Sequence, residues 1–196
     1  MDYTKQIREY LQLETRVLEQ LDPQAISDAM NLLDEARVAG SRIYVFGNGG
    51  SSATASHMLT DFNKGISERI ERKFRFECLN DNMPLVMAIA NDIGFEEVFR
   101  RQLLDRLEPG DVIVAISGSG NSKNVLRAVE YAKSCGCRVI GLTGFDGGKL
   151  LEMCDISLHV PVRSMQITED IHMIFDHLMM SVLSKELAGW DHLADA

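Results

Sequence analysis

His57 and Asp61 stand four residues apart, and Glu169 and His177 eight apart, each pair in a stretch with helical apolar spacing. Residues four apart on a helix share a face. Eight residues differ in direction by about 80°, which still lets two side chains converge on one point. Two imidazoles and two carboxylates suit two chemistries: holding a divalent cation such as Zn²⁺, or moving protons as acid and base. Plainer readings fit the same spacing, with His57–Asp61 a solvated i,i+4 pair and His177 a hydrogen-bonded core histidine. His172 and Asp176, also four apart, read as a satisfied structural pair. The stretch that carries them is apolar on most sides (Ile171, Met173, Ile174, Phe175, Leu178, Met179), so its polar residues need partners or a role.

Two further segments match each other. Arg42 to Phe46 is a short apolar run followed by GNGGSS (Gly47 to Ser52). Asp111 to Ile116 is another, followed by SGSGNS (Ser117 to Ser122). A strand, a small polar loop and a helix start make an anion site: the loop exposes backbone N–H groups, and the helix N-terminus adds partial positive charge. Three serines in SGSGNS offer uncharged donors suited to a terminal phosphate. A phosphorylated small molecule at the carboxyl ends of parallel strands is the expected ligand. GNGGSS lacks the third glycine of a dinucleotide fingerprint, and Gly147-Gly148-Lys149 is only a fragment of a P-loop, so no nucleotide cofactor is expected.

The elements that must position these groups follow from periodicity. Helical patterns cover residues 3–21 and 23–38, the second with Asp22 as N-cap, Pro23 in the first turn and Gly40 at the stop. Strands are expected at 42–46, 76–80, 111–116, 138–143 and 155–161. Helices are expected at 51–63, 83–90, 96–106, 122–134, within 144–153, and at 165–187. Strands alternating with helices give an α/β fold, a doubly wound, mainly parallel five-stranded sheet flanked by helices, with two leading N-terminal helices. The whole chain, 1–196, reads as one domain: 1–40 as leading helices at an oligomer interface, 41–187 as the α/β core.

The chain has 196 residues, 45% of them hydrophobic, and a formal net charge of −9. That balance argues against nucleic acid or an anionic membrane as a partner. Cys135 and Cys137 do not have CxxC spacing, and Cys78 and Cys154 read as small core residues. The N-terminal stretch has no apolar signal core and no run approaches membrane-spanning length, so a cytoplasmic setting is expected.

Taken together, GNGGS (47–51), His57, AIANDIGFEEVF (88–99), GDVIVAISGSGNSKNV (110–125), GLTGFDGGK (141–149), and Ile171-His172 with His177 resemble one family. The chain is similar to the sugar isomerase (SIS) domain proteins, and within them to the phosphoheptose (sedoheptulose-7-phosphate) isomerases, over nearly its whole length. The resemblance implies an aldose–ketose isomerase acting through an enediol, with sedoheptulose 7-phosphate going to D-glycero-D-manno-heptose 7-phosphate, and a homotetramer. It implies that Asn48, Gly49, Gly50 and Ser51 touch the substrate, that Asn91 and Asp92 line the sugar pocket, and that Ser117, Gly118, Ser119 and Ser122 hold the phosphate. It places His57, Asp61, Glu169 and His177 at the zinc and catalytic positions, with Asp61 as base and His177 as acid, and Glu169 also beside the substrate.

Some residues depart from the family pattern. Asp61 stands for Glu, Glu169 for Gln, Gly65 for Arg and Gly118 for Thr. An isomerase for another phosphosugar is therefore one alternative. A second is a non-catalytic phosphosugar-binding regulator, like the branch of the family that binds the bacterial replication initiator protein DnaA. That branch lacks the carboxylate and the second histidine, and this chain has Asp61 and His177.

Overall fold

The computed structural model describes residues 1–191. Helices α1 (Thr4–Leu18) and α2 (Pro23–Ala39) precede the first strand. The Asp22 side chain accepts from Gln24 N, and Gly40 closes α2 in the left-handed conformation, as the capping residues imply. Five strands follow: β1 (Ile43–Gly47), β2 (Phe76–Cys78), β3 (Val112–Ser117), β4 (Arg138–Thr143) and β5 (Ile156–His159). All pair in parallel, in the order β2-β1-β3-β4-β5.

Side chains alternate across this sheet and feed two cores. Ile43, Val45, Val112, Val114 and Ile116 pack against α2, against α3 (Gly50–Thr60) and against α8 (Met165–Ala188). Tyr44, Phe46, Ile113, Ala115 and Val139 pack on the other face, against α4 (Met83–Asp92), α5 (Arg100–Leu103), α6 (Lys123–Ser134) and α7 (Gly148–Met153). Burial on both faces explains why β1 and β3 read as unbroken apolar runs.

Four elements depart most from the sequence expectation. The helix expected to stop at 63 continues through a π-helical stretch, Asp61–Ile66, and a 3₁₀ turn, Ser67–Arg69. The Asn63 amide there brackets the backbone of Phe76, donating to its carbonyl at 2.8 Å and accepting from its N–H at 2.9 Å. That side chain ties the helix to the edge strand β2. The helix expected at 96–106 is broken instead into a 3₁₀ turn, Phe95–Glu97, and the single turn of α5. Side chains replace the helical ladder: the Gln102 amide donates to the carbonyls of Leu79 and Val98, and Asp105 takes a positive φ of 56°. The strands expected at 76–80 and 155–161 are trimmed to Phe76–Cys78 and Ile156–His159.

No helix among the described residues is long and apolar enough to cross a membrane. The four cysteines are free thiols.

Candidate active site

Strand order reverses between β1 and β3, which lie side by side. Their carboxyl ends carry the two polar loops, at the point where open α/β sheets open a crevice. The Asn80 amide continues the ladder beyond β2: its Nδ2 donates to the Gly47 carbonyl at 2.9 Å and its Oδ1 accepts from Gly47 N at 3.2 Å. Asn48 and Asn124 exchange amide hydrogen bonds at 2.9 and 2.8 Å, joining the first loop to the start of α6. A cleft of about 490 Å³ opens here, walled by Asn48, Ser122, Lys123, Asn124, Gly94 and Phe95.

In the second loop, Ser117 Oγ donates to Ser122 Oγ at 3.1 Å, and Ser119 Oγ accepts from Asn121 N at 3.3 Å. Ser122 is the N-cap of α6 but makes no side-chain cap bond. The Asn124 side chain accepts from Val125 N at 3.0 Å, which leaves the N–H groups of Lys123 and Asn124 as the donor end at the cleft. Gly120 is required: its φ is +62°, and a Cβ there would lie 1.9 Å from the Gly147 carbonyl oxygen. Gly118 is buried beneath Met165 at the start of α8.

Helices α3 and α8 run side by side in the same direction. Gly50 meets Glu169 at their N-terminal ends; a Cβ on Gly50 would lie 2.4 Å from Glu169 Oε2. Further along, His57 Nε2 and His177 Nε2 face each other at 3.0 Å, and His57 Nε2 lies 3.6 Å from Asp61 Oδ2. Ligand atoms of His57, Asp61, Asp176 and His177 all lie within 4.8 Å of one another. His57 and His177 are exposed, Asp61 is half-buried, and Asp176 is fully buried. Neither Asp176 carboxylate oxygen has a hydrogen-bond partner. Burial first, and the negative charge of Asp61 second, push the Asp176 carboxyl up to about 8.

The structure thus joins His57, Asp61 and His177, as the spacing suggested, and holds Asn48, Gly49, Gly50 and Ser51 together in the first loop. Glu169 is not in the imidazole–carboxylate group; it sits against Gly50, at the other end of the helix pair. Asn91 and Asp92 end α4 as exposed residues, Asn91 Nδ2 donating to Asp92 Oδ1 at 2.8 Å. The cleft wall on that side is Gly94 and Phe95 instead. His172 and Asp176 do not pair: His172 Nε2 reaches the Thr143 carbonyl at 3.2 Å, at the end of β4, while Asp176 faces Asp61. Burial lowers the His172 imidazole to about 4, so it stays neutral.

Sequence reasoning gave Asp176 only a structural role, as the partner of His172, and did not single out Asn80 or Asn124. Asp176 has the acidic character of a ligand, but His172, one turn away, offered it a local partner. Asn80 and Asn124 each sit just beyond an apolar run or polar loop, where an amide can bind free backbone or a second amide.

The SIS domain family profile matches residues 2–144. A phosphoheptose isomerase from Aliarcobacter butzleri is 34% identical over 184 residues, covering 93% of this chain and 97% of that protein. One from Geotalea daltonii is 36% identical over 184 residues, covering 94% and 95%. Among solved structures, phosphoheptose isomerase GmhA from Neisseria gonorrhoeae superposes with a TM-score of 0.86 at 29% identity, covering 94% of this chain and 100% of that one.

Proposed function

The chain belongs to the SIS domain family and, within it, to the phosphoheptose isomerases, and on that premise we propose that it interconverts the ketose sedoheptulose 7-phosphate and its aldose, D-glycero-D-manno-heptose 7-phosphate. The observation that carries this reading is the meeting of His57, Asp61 and His177 on two helices whose N-terminal ends border the polar loops.

The serine loop would anchor the phosphate. Ser117, Ser119 and Ser122 supply hydroxyls, Gly118 backbone, and the uncapped first turn of α6 adds N–H donors. Anchoring one end of the sugar orients the carbonyl end. Asn48, Gly49, Gly50 and Ser51 would meet the chain between the two ends, with Glu169 beside Gly50.

Asp61 then takes a proton from the hydroxymethyl carbon beside the ketone. The C–H electron pair becomes the carbon–carbon double bond of the enediol, and His177 gives a proton to the carbonyl oxygen. Asp61 returns the proton to the former carbonyl carbon, and His177 takes the terminal hydroxyl proton, which completes the aldehyde and restores both groups.

The same residues fit a divalent cation. Two imidazole nitrogens facing each other at 3.0 Å, a nearby carboxylate and a buried, unpartnered second carboxylate are a donor set that a cation would satisfy. His57, Asp61 and His177 would hold Zn²⁺, which the resemblance implies; when bound, it supplies a positive charge that polarises the carbonyl.

A homotetramer in the cytoplasm belongs to the same reading. The apolar stripe of α1 supports assembly, with Tyr3, Ile7 and Leu11 uncovered. So do Met87, Ile93 and Phe95, which stand exposed, Phe95 in the cleft wall. A neighbouring subunit that covers them would also close the cleft.

Another phosphosugar is the second reading, favoured by the shorter arm of Asp61 and by Gly65. A Cβ on Gly65 would meet only Met180 Cε, at an ordinary contact distance of 3.4 Å, so packing does not demand glycine where the resemblance has Arg. A panel of ketose and aldose phosphates followed by NMR decides between them. Sedoheptulose 7-phosphate should give an aldose signal; no product from it, with turnover of another sugar phosphate, selects the second reading.

A further inference from the structure

Two carboxylates are available for the fourth position around His57, Asp61 and His177. The family resemblance gives that position to Glu169. The two residues lie seven positions apart on α8, so they share one stripe but stand two turns, about 10 Å, apart along the axis. Glu169 is level with Gly50, and Asp176 is level with Asp61.

We propose that Asp176 is a ligand of the cation centre, in the place the resemblance gives to Glu169, and that Glu169 remains at the first loop. This rests on the reading of the site as a cation centre. Asp176 is fully buried, and both of its oxygens lack a hydrogen-bond partner. A buried carboxylate needs a charge partner or a proton, and the carboxylate grouped with it, Asp61, has the same sign. A cation between the two answers both needs.

The spacing agrees. Ligands about 2.0–2.2 Å from a tetrahedral ion lie about 3.3–3.6 Å from each other. His57 to His177 at 3.0 Å and His57 to Asp61 at 3.6 Å bracket that range, and the Asp176 oxygen falls in the same group. Two carboxylates and two neutral imidazoles would balance a divalent charge. That oxygen- and nitrogen-only set suits Zn²⁺, Mn²⁺ or Fe²⁺ and not a thiophilic ion.

The test titrates Zn²⁺ and Co²⁺ into the full chain after chelation, by calorimetry and by the visible absorption of the Co²⁺ form. Wild type should bind one ion per subunit. Asp176→Asn should bind Zn²⁺ at least tenfold more weakly and change the Co²⁺ spectrum. Glu169→Ala, which removes the side chain altogether, should stay within twofold of wild type with an unchanged spectrum. The opposite pattern, or equal losses in both variants, overturns the assignment of Asp176 over Glu169 while leaving the cation centre standing. A wild-type chain that binds neither ion overturns the centre itself, and the assignment with it. Asp176→Leu supplies a second check: it removes the unpartnered carboxyl and should fold and melt in EDTA at or above wild type, yet bind no ion. A folded Asp176→Leu protein with wild-type Zn²⁺ affinity overturns the proposal.

Discussion

His57 and His177, 120 positions apart in the chain, present their Nε2 atoms to each other at 3.0 Å. Two neutral ring nitrogens at that distance share a proton or a cation. His57 lies on the helix after the first polar loop and His177 in the middle of α8. Replacing either should separate what the pair binds from what it catalyses.

His177→Asn should lower kcat by about 10²–10⁴, the usual contribution of a placed acid or base. Asp61→Asn should abolish turnover and deplete bound cation, because one carboxylate serves both roles in the proposed site. Calorimetry should still detect sugar phosphate on both variants, since the serine loop is untouched. Wild-type turnover in both would remove these residues from the mechanism.

Ser119→Ala should act on binding. Its hydroxyl accepts from Asn121 N in the free protein and would turn to the phosphate in the complex. Loss of one donor to a charged group costs about 1–3 kcal/mol. Because the phosphate is held equally in the ground and transition states, KM should rise while kcat stays within a few-fold. Steady-state kinetics with an unchanged KM would place the phosphate elsewhere.

His172 should make folding stability fall in acid. Its imidazole is lowered to about 4 in the fold by burial, against an unfolded value of 6.5. Above pH 6.5 both states are neutral there and stability is unaffected. As pH falls from 6.5 towards 4 the unfolded chain takes the proton first, and about 3 kcal/mol is lost. Asp176, raised from 3.8 to about 8, works in the opposite direction across the whole of that window, because the folded state takes its proton first. The useful quantity is therefore the difference between wild type and His172→Gln in urea unfolding at pH 7 and pH 4.5. A difference independent of pH would refute the assignment.

Assembly should depend on α1. Val17 is its one buried residue among the described positions, while Ile7 is 57% and Leu11 55% exposed. Ile7→Glu with Leu11→Glu should yield a smaller species by light scattering, still folded by circular dichroism and much less active. A stable, fully active wild-type monomer at micromolar concentration would count against the tetramer.

Much of this architecture is legible in the sequence because it is local. The runs before GNGGSS and SGSGNS are buried on both faces, so β1 and β3 read as continuous apolar segments. Asp22, Pro23 and Gly40 mark α2 by their own chemistry. What escapes is set by tertiary contact. The π-helical stretch from Asp61 depends on packing against α8 and on Asn63 gripping Phe76, neither of which has a periodic signature. Asp176 was masked by His172, whose ring turns instead to the Thr143 carbonyl. Asn91 and Asp92 fall in a stretch that carries the family resemblance, yet they face solvent and bond to each other.

The pairing of α3 with α8 has a consequence for synthesis. His57 and Asp61 leave the ribosome well before Asp176 and His177, and four of the five strands follow His57 in the chain. The nascent domain can lay down its early strands and first loop without any competent centre. Catalytic power, and any stabilisation gained from a bound ion, would arrive only when α8 docks. A prematurely terminated product lacking that helix would therefore be inert rather than a poorly controlled isomerase.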